Sequence, residues 1–150
     1  MKKEALRRVA VGLPPGMMNH REKEGIIMRK QDDLELQAER ELRKLRITGT
    51  LSGMSYLISA ISWAVEDPAK VRYITKEIYM QLSTIHSVEQ HQVERSIRTA
   101  IKYSWENGGR DAMDQMAGYH LEKRPTNSEF IALIADKLQL QLKSAEAAQY

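Results

Sequence analysis

Apolar residues recur at helical spacing along most of the chain, and no long alternation of apolar and polar residues indicates a sheet. One apolar stripe stops at Asp67-Pro68, where the proline predicts a helix end, and another is closed by Asn107-Gly108-Gly109. This pattern predicts an all-α fold. The stripes consist of Leu57, Ala60, Ile61 and Ala64, then of Val71, Ile74, Ile78 and Leu82, and then of Val93, Ile97, Ala100, Ile101 and Ser104.

The last predicted helix has a defined start. Pro125 blocks extension of the helix backwards, and either Thr126 or Asn127 can cap it. Thr126 and Glu129 also have the spacing of a capping box. The face that this helix should bury consists of Phe130, Ile131, Ile134 and Leu138.

The N-terminal third has a different pattern. Two glycines and two prolines between residues 12 and 16 break any regular element, which predicts a flexible arm over residues 1–19. Residues 20–46 are highly charged, and their apolar positions follow one another at spacings of four, four and three, which predicts a helix with one face docked on the domain. These positions are Leu34, Ala38, Leu42 and Leu45.

Composition narrows the class of protein. Of the 150 residues, 42% are hydrophobic and 29% charged, as in one ordinary globular domain. Cysteine is absent, which excludes a disulfide scaffold and a thiol nucleophile. No apolar run approaches the roughly 18–20 residues of a membrane helix, and the apolar stretch near the N-terminus is too short for a signal peptide. We therefore expect a cytoplasmic protein without a membrane partner.

The net charge of +3 is unevenly distributed. Residues 1–46 hold 12 Lys and Arg against 8 Asp and Glu, whereas residues 47–150 hold 11 against 12. A basic excess of this size is only a weak argument for a nucleic-acid partner. We predict two parts: residues 1–39 as a basic arm with a charged helix, and residues 40–150 as the domain.

The segment from Glu89 to Glu106 carries the most informative pattern. At about 100° per residue its apolar stripe occupies one side of a helix. A predicted helix over residues 70–84 precedes it, and the short connection over residues 85–88 is typical of a helix-turn-helix. The opposite side of the second helix is a basic ridge, which consists of His91, Arg95, Arg98, Thr99 and Lys102.

Two arginines one helical turn apart suit the recognition of bases. A guanidinium can donate two hydrogen bonds to O6 and N7 of guanine in the major groove, which discriminates by about 1–3 kcal/mol. Arg95 and Arg98 could both reach one groove, and Glu94 has the i,i+4 spacing that lets a carboxylate hold Arg98. The pattern also leaves open an ordinary amphipathic helix whose ion pair is solvated.

Two strings of residues resemble a known family. VERSIRTAIKYSW (93–105) and PTNSEFIALIADKLQL (125–140) are similar to the C-terminal DNA-binding domain of the stage-zero sporulation protein A family, response regulators of endospore formation. The similarity includes YLISAISWAVED (56–67) and ITKEIY (74–79), and it runs in family order from near residue 40 to 143. The resemblance implies a compact bundle of about six helices that contains a helix-turn-helix, preceded here by the charged N-terminal helix.

The resemblance also implies which residues contact DNA. In that family the long helix enters the major groove, and domains bind as tandem pairs on repeated boxes. Its VER-x-IR motif places the base contacts on Glu94, Arg95 and Arg98, and its C-terminal lysine corresponds to Lys143. Gln92 stands where the family usually has arginine, and Thr99 stands where its best-known member has histidine. The candidate DNA-binding residues are therefore Gln92, Glu94, Arg95, Arg98, Thr99, Lys102 and Lys143.

Further partners follow from the same resemblance. Residues 105–119 are similar to the family surface that contacts the RNA polymerase sigma subunit, so we expect this subunit as a partner beside double-stranded DNA. The family's receiver domain is expected to be absent, because the similar region begins near residue 40 and Asp32 and Asp33 lie in a charged helical stretch. A homodimer would then form through the helix over residues 27–46 or by tandem pairing on DNA.

The pattern contains no catalytic or metal site. His86 and His91 are five residues apart, which is poor spacing for a shared metal, and no glycine loop suited to phosphate is present. We expect no enzyme activity and no cofactor. The sequence predicts a sequence-specific, double-stranded-DNA-binding transcription regulator of sporulation or a related developmental programme, without a phosphorylatable receiver. The alternative is a non-enzymatic interaction protein that modulates a full-length regulator or RNA polymerase through its N-terminal helix.

Overall fold

A computed structural model describes residues 19–148, apart from the side chains of residues 26–28. The chain divides into two units, one up to Leu34 and one from Glu35 onward, and the boundary falls within helix α1 (His20–Lys44). Of the predicted arm, residues 1–18 lie outside the described residues.

Helix α1 begins at a capping box that the sequence pattern did not predict. The side-chain oxygen of Asn19 accepts from the amide of Glu22 at 2.8 Å, and the Glu22 carboxylate accepts from the amide of Asn19 at 3.3 Å. These two bonds satisfy amides at the helix start that have no partner within the helix. In the second unit the predicted apolar face is fully buried at Ala38, Leu42 and Leu45.

The second unit is helical, as the sequence predicts. Residues 19–148 contain no β-strand, and none of their helices is long and apolar enough to cross a membrane. The elements that follow α1 are α2 (Gly53–Glu66), a 3-10 helix (Pro68–Val71), a π-helical turn (Thr75–Tyr79), α3 (Met80–His86), α4 (Gln90–Glu106), α5 (Arg110–Ala117) and α6 (Asn127–Ala148).

Helix α2 is the centre of the core and packs against both α4 and α6. It ends at Glu66, one residue before the predicted break, and the Asp67 carboxylate accepts from the amide of Ala69 at 3.2 Å to start the 3-10 helix. Where α2 begins, Gly53 lies against the backbone of α4, and a Cβ at this position would overlap the carbonyl oxygen of Ser96. The predicted stripe of α2 is fully buried at Leu57, Ala60, Ile61 and Ala64.

The segment predicted as one helix over residues 70–84 is instead a composite. The 3-10 helix is followed by the π-helical turn, and α3 is only seven residues long. A π-helical turn takes in one residue more than an α-helical turn. Ile78 and Tyr79 in this turn are buried together with Leu82.

Candidate nucleic-acid interface

Helices α3 and α4 form the predicted helix-turn-helix. Only Ser87, Val88 and Glu89 connect them. Ser87 adopts a left-handed backbone with φ 53°, and the amide of Val88 donates to the carbonyl of Ser83 at 3.1 Å. These two features end α3 abruptly, as at other helix C-termini with a left-handed residue. The longer second helix, α4, therefore starts within three residues of the end of the first.

One side of α4 is anchored in the core. The predicted stripe is buried along its whole length, at Val93, Ile97, Ala100, Ile101 and Ser104. The hydroxyl of Ser104 donates to the backbone carbonyl of Leu45, just beyond α1. Because one side of the helix is held in this way, the opposite side faces solvent.

The basic ridge lies on this solvent side. Its four basic side chains fall within about 60° around the axis of α4 at about 100° per residue, and the Arg98 side chain is 54% exposed. All five ridge residues are exposed: His91, Arg95, Arg98, Thr99 and Lys102. The ridge is therefore accessible to a partner along about three turns of the helix.

The predicted ion pair on α4 is present. A carboxylate oxygen of Glu94 lies 3.2 Å from a guanidinium nitrogen of Arg98, and the Glu94 side chain is 33% exposed. An ion pair this open to solvent contributes little to stability, typically about 0–1 kcal/mol. Its effect is to hold the guanidinium at the margin of the ridge.

Two side-chain amides fix the position of α4 against its neighbours. The Gln90 amide donates to the carbonyl of Thr75 in the π-helical turn at 2.8 Å. The Asn127 amide donates to the Tyr79 hydroxyl at 2.9 Å and to the Glu94 carbonyl at 3.2 Å. Burial raises the pKa of Tyr79, so its phenol stays protonated at neutral pH.

The sequence pattern assigned no such role to either amide. Asn127 was one of two candidate caps of the last helix, but the cap is Thr126, whose hydroxyl accepts from the amide of Glu129 at 3.2 Å. Since Thr126 is the cap, the Asn127 side chain is available for other partners. In the sequence, the only signal for the contacts of Asn127 with Tyr79 and Glu94 was that this polar residue directly follows the cap.

The remaining predicted contact residues fall in two places. Gln92 is exposed on α4, on the same edge of the ridge as Thr99. Lys143 is exposed as well, but it lies 16 residues after Asn127 in α6, about 24 Å along the helix axis. Asn127, at the start of α6, contacts α4, so Lys143 is at the far end of α6 from this contact. The structure thus gathers six of the seven candidates on α4 and separates Lys143 from them.

A comparison with known families identifies this region. The family model described as "Sporulation initiation factor Spo0A C terminal" matches residues 38–138 of the 150. The matched residues begin within α1, include the whole helix-turn-helix and end within α6. The match confirms the resemblance seen in the sequence. The matched residues include the whole basic ridge but not Lys143.

Proposed function

The chain belongs to the Spo0A C-terminal family of sporulation initiation factors, whose domain is a DNA-binding domain, and we propose that it is a sequence-specific transcription regulator that reads double-stranded DNA with α4. The observation that carries the proposal is the exposure of Arg95 and Arg98 on the second helix of a helix-turn-helix whose other side is buried. A major groove about 12 Å wide admits a helix with its side chains.

The proposed contacts follow from the chemistry of each side chain. Arg95 and Arg98 donate to O6 and N7 of guanines, as bidentate guanidinium groups do. Glu94 holds Arg98 in place or accepts from the exocyclic amine of cytosine. The other α4 candidates, Gln92, Thr99 and Lys102, lie beside these residues, and Lys143 contacts the phosphate backbone from the other end of α6.

The protein then acts in sporulation or a related developmental programme and carries out no catalytic step. We expect this chain to bind DNA without a phosphorylated aspartate. The adjacent Asp32 and Asp33 are exposed within helix α1 and do not lie in a loop. A titration of DNA with this chain should give the same affinity with and without a small-molecule phosphoryl donor.

Pairing of two copies on repeated boxes and contact with the polymerase sigma subunit belong to the same proposal. Residues 105–119 include α5, and several of them, among them Arg110, Asp111 and Tyr119, are exposed. A duplex with two boxes should bind two copies more tightly than two separate single-box duplexes. Equal affinity for both kinds of duplex would contradict the pairing.

The experiment that tests the proposed function begins with selection of bound duplexes from a random pool. Fluorescence anisotropy at one salt concentration then compares the selected duplex with a random one, for the wild type, Arg98→Ala and Arg43→Ala. Arg43 is a basic control on α1, where it pairs with Glu39 at 2.8 Å. Arg98→Ala should lose about 1–3 kcal/mol on the selected duplex and relax discrimination at one base pair, whereas Arg43→Ala should keep the discrimination. Equal binding of all duplexes by the wild type and Arg98→Ala would refute the proposal.

A further inference from the structure

A cleft lies directly beside the basic ridge. On one side α4 contributes Glu94, Arg98 and Ile101, and on the other side the chain contributes residues 124–128, which lead into α6. The volume of the cleft is about 370 Å³. Buried Tyr79 also lines it, and the Asn127 bonds to Tyr79 and Glu94 hold the two sides together.

Positive charge dominates the mouth of this cleft. Arg98 and Arg124 both line it and are both exposed. The acidic residue of the lining, Glu94, already holds Arg98 at 3.2 Å. Within residues 19–148, Arg124 makes no ion pair with an aspartate or glutamate. Arg124 therefore keeps its full donor set for a ligand.

Neutral donors add to the two guanidinium groups. Thr126 and Ser128 also line the cleft, and the Thr126 hydroxyl oxygen accepts from a helix amide, which leaves its hydrogen to be donated. A planar guanidinium with nearby hydroxyls is a common arrangement for contacts with phosphate oxygens. The chemistry of the cleft thus favours a phosphate group.

The geometry of duplex DNA brings a phosphate to this place. A helix with side chains is about 10–12 Å across and the major groove is about 12 Å wide, so a helix in the groove has a phosphate backbone on each side. If the ridge faces the bases, the structures that flank it face these backbones. On the side of Glu94 and Arg98, the flanking structure is the cleft with Arg124.

We propose that this cleft binds one backbone phosphate of the DNA duplex, with Arg124 as its main ionic partner. The inference rests on the proposed function, since it takes the duplex to be read by α4. A phosphate held here fixes how far α4 enters the groove and in which register, because Asn127 ties the cleft to the backbone of Glu94. Arg124 is thus a positioning contact, whereas Arg95 and Arg98 read bases.

The test compares Arg124→Ala with Lys123→Ala, which removes an exposed neighbouring charge that does not line the cleft. Anisotropy titrations over a series of salt concentrations use the selected duplex and a random duplex. Arg124→Ala should weaken both complexes by about fivefold at ordinary salt and reduce the slope of log affinity against log salt by about 1. The ratio between selected and random duplex should stay constant, and Lys123→Ala should keep the wild-type slope.

A second measurement locates the phosphate. Neutral methylphosphonates replace the phosphates of the selected duplex one at a time. One replacement should weaken the wild type and have no further effect on Arg124→Ala. If the wild type binds the selected duplex and Arg124→Ala retains its affinity and salt slope, the phosphate site is refuted while the proposed function stands. If the wild type prefers no duplex, the proposed function and the phosphate site both fail.

Discussion

The side-chain amide of Asn127 donates to the backbone carbonyl of Glu94 at 3.2 Å, across 33 positions of sequence. The same nitrogen donates to the hydroxyl of Tyr79 at 2.9 Å. A single side chain thus connects the start of α6, helix α4 and the segment before α3. These bonds hold the backbone under the basic ridge in one position.

Replacement of Asn127 by alanine should destabilise the fold. The buried Tyr79 would lose the donor to its hydroxyl, and the Glu94 carbonyl would keep only its partner within the helix. The two lost hydrogen bonds together should cost about 1–3 kcal/mol. Urea unfolding followed by circular dichroism measures the change. The matched control is Ser128→Ala, one residue further in the same helical turn, which should stay within about 0.5 kcal/mol of the wild type. Equal stabilities of both variants would show that the Asn127 bonds contribute nothing.

Gly53→Ala should destabilise the protein although alanine is the better helix former. A Cβ at position 53 would overlap the Ser96 carbonyl oxygen, so α2 and α4 would have to move apart. The control is Gly25→Ala in α1, where a Cβ would meet nothing within 4 Å. There the substitution should raise helix stability by up to about 1 kcal/mol. In thermal unfolding, Gly53→Ala should therefore have a lower midpoint than the wild type, whereas Gly25→Ala should not. An unchanged midpoint for Gly53→Ala would contradict the close packing.

Stability should depend on pH through Glu41. Burial acts to raise its pKa, but hydrogen bonds from Lys137 at 2.7 Å and Lys44 at 3.1 Å hold the pKa of this carboxyl below its ordinary value. A lowered pKa means that the unfolded chain takes up the proton first as the pH falls. The contribution of Glu41 is therefore complete above its ordinary pKa and is lost as the pH falls through the folded pKa.

Glu41→Gln tests this dependence. At neutral pH it should lower the free energy of unfolding by about 1–3 kcal/mol, because the two ammonium groups lose their carboxylate. At a pH well below the ordinary pKa of glutamate, where the linked contribution is being lost, the gap to the wild type should be smaller. Glu39→Gln, which affects a more exposed pair with Arg43, should change little at either pH. A gap that stays constant between the two pH values would contradict the linkage.

Glu94 and Arg98 should act as one unit in DNA binding. Glu94→Ala should change the stability by less than about 1 kcal/mol, since the pair is open to solvent. On the selected duplex, the free-energy losses of Glu94→Ala and Arg98→Ala should sum to more than the loss of the double variant. Anisotropy titrations of the four proteins measure this coupling. Strictly additive losses would mean that the carboxylate does not position the guanidinium.

The periodic parts of the fold could be predicted from the sequence. The stripe from Val93 to Ser104 follows helical spacing, and its burial decides which side of α4 is exposed. The break at Asp67-Pro68 was predictable because proline cannot continue a helix. The position of the ridge follows from the stripe, since the two lie on opposite sides of one helix.

The irregular parts could not be predicted in this way. The π-helical turn at residues 75–79 keeps Ile78 and Leu82 buried, so the apolar spacing is the same as in a regular helix. The contact of Asn127 with Glu94 joins a side chain to a backbone carbonyl, and a backbone carbonyl has no signature in the sequence. The cleft with Arg124 depends on the same long-range contact. Only the three-dimensional structure places Arg124 beside the ridge.

Methylation interference on the selected duplex tests most directly whether the ridge reads the major groove. Methylation of guanine N7 removes an acceptor that a bidentate arginine uses, while methylation of adenine N3 marks the minor groove. For the wild type, N7 methylation at particular guanines should block binding, and at one of them the block should disappear in Arg98→Ala. If N7 methylation leaves wild-type binding intact, or if only adenine N3 methylation interferes, α4 does not read bases with its arginines.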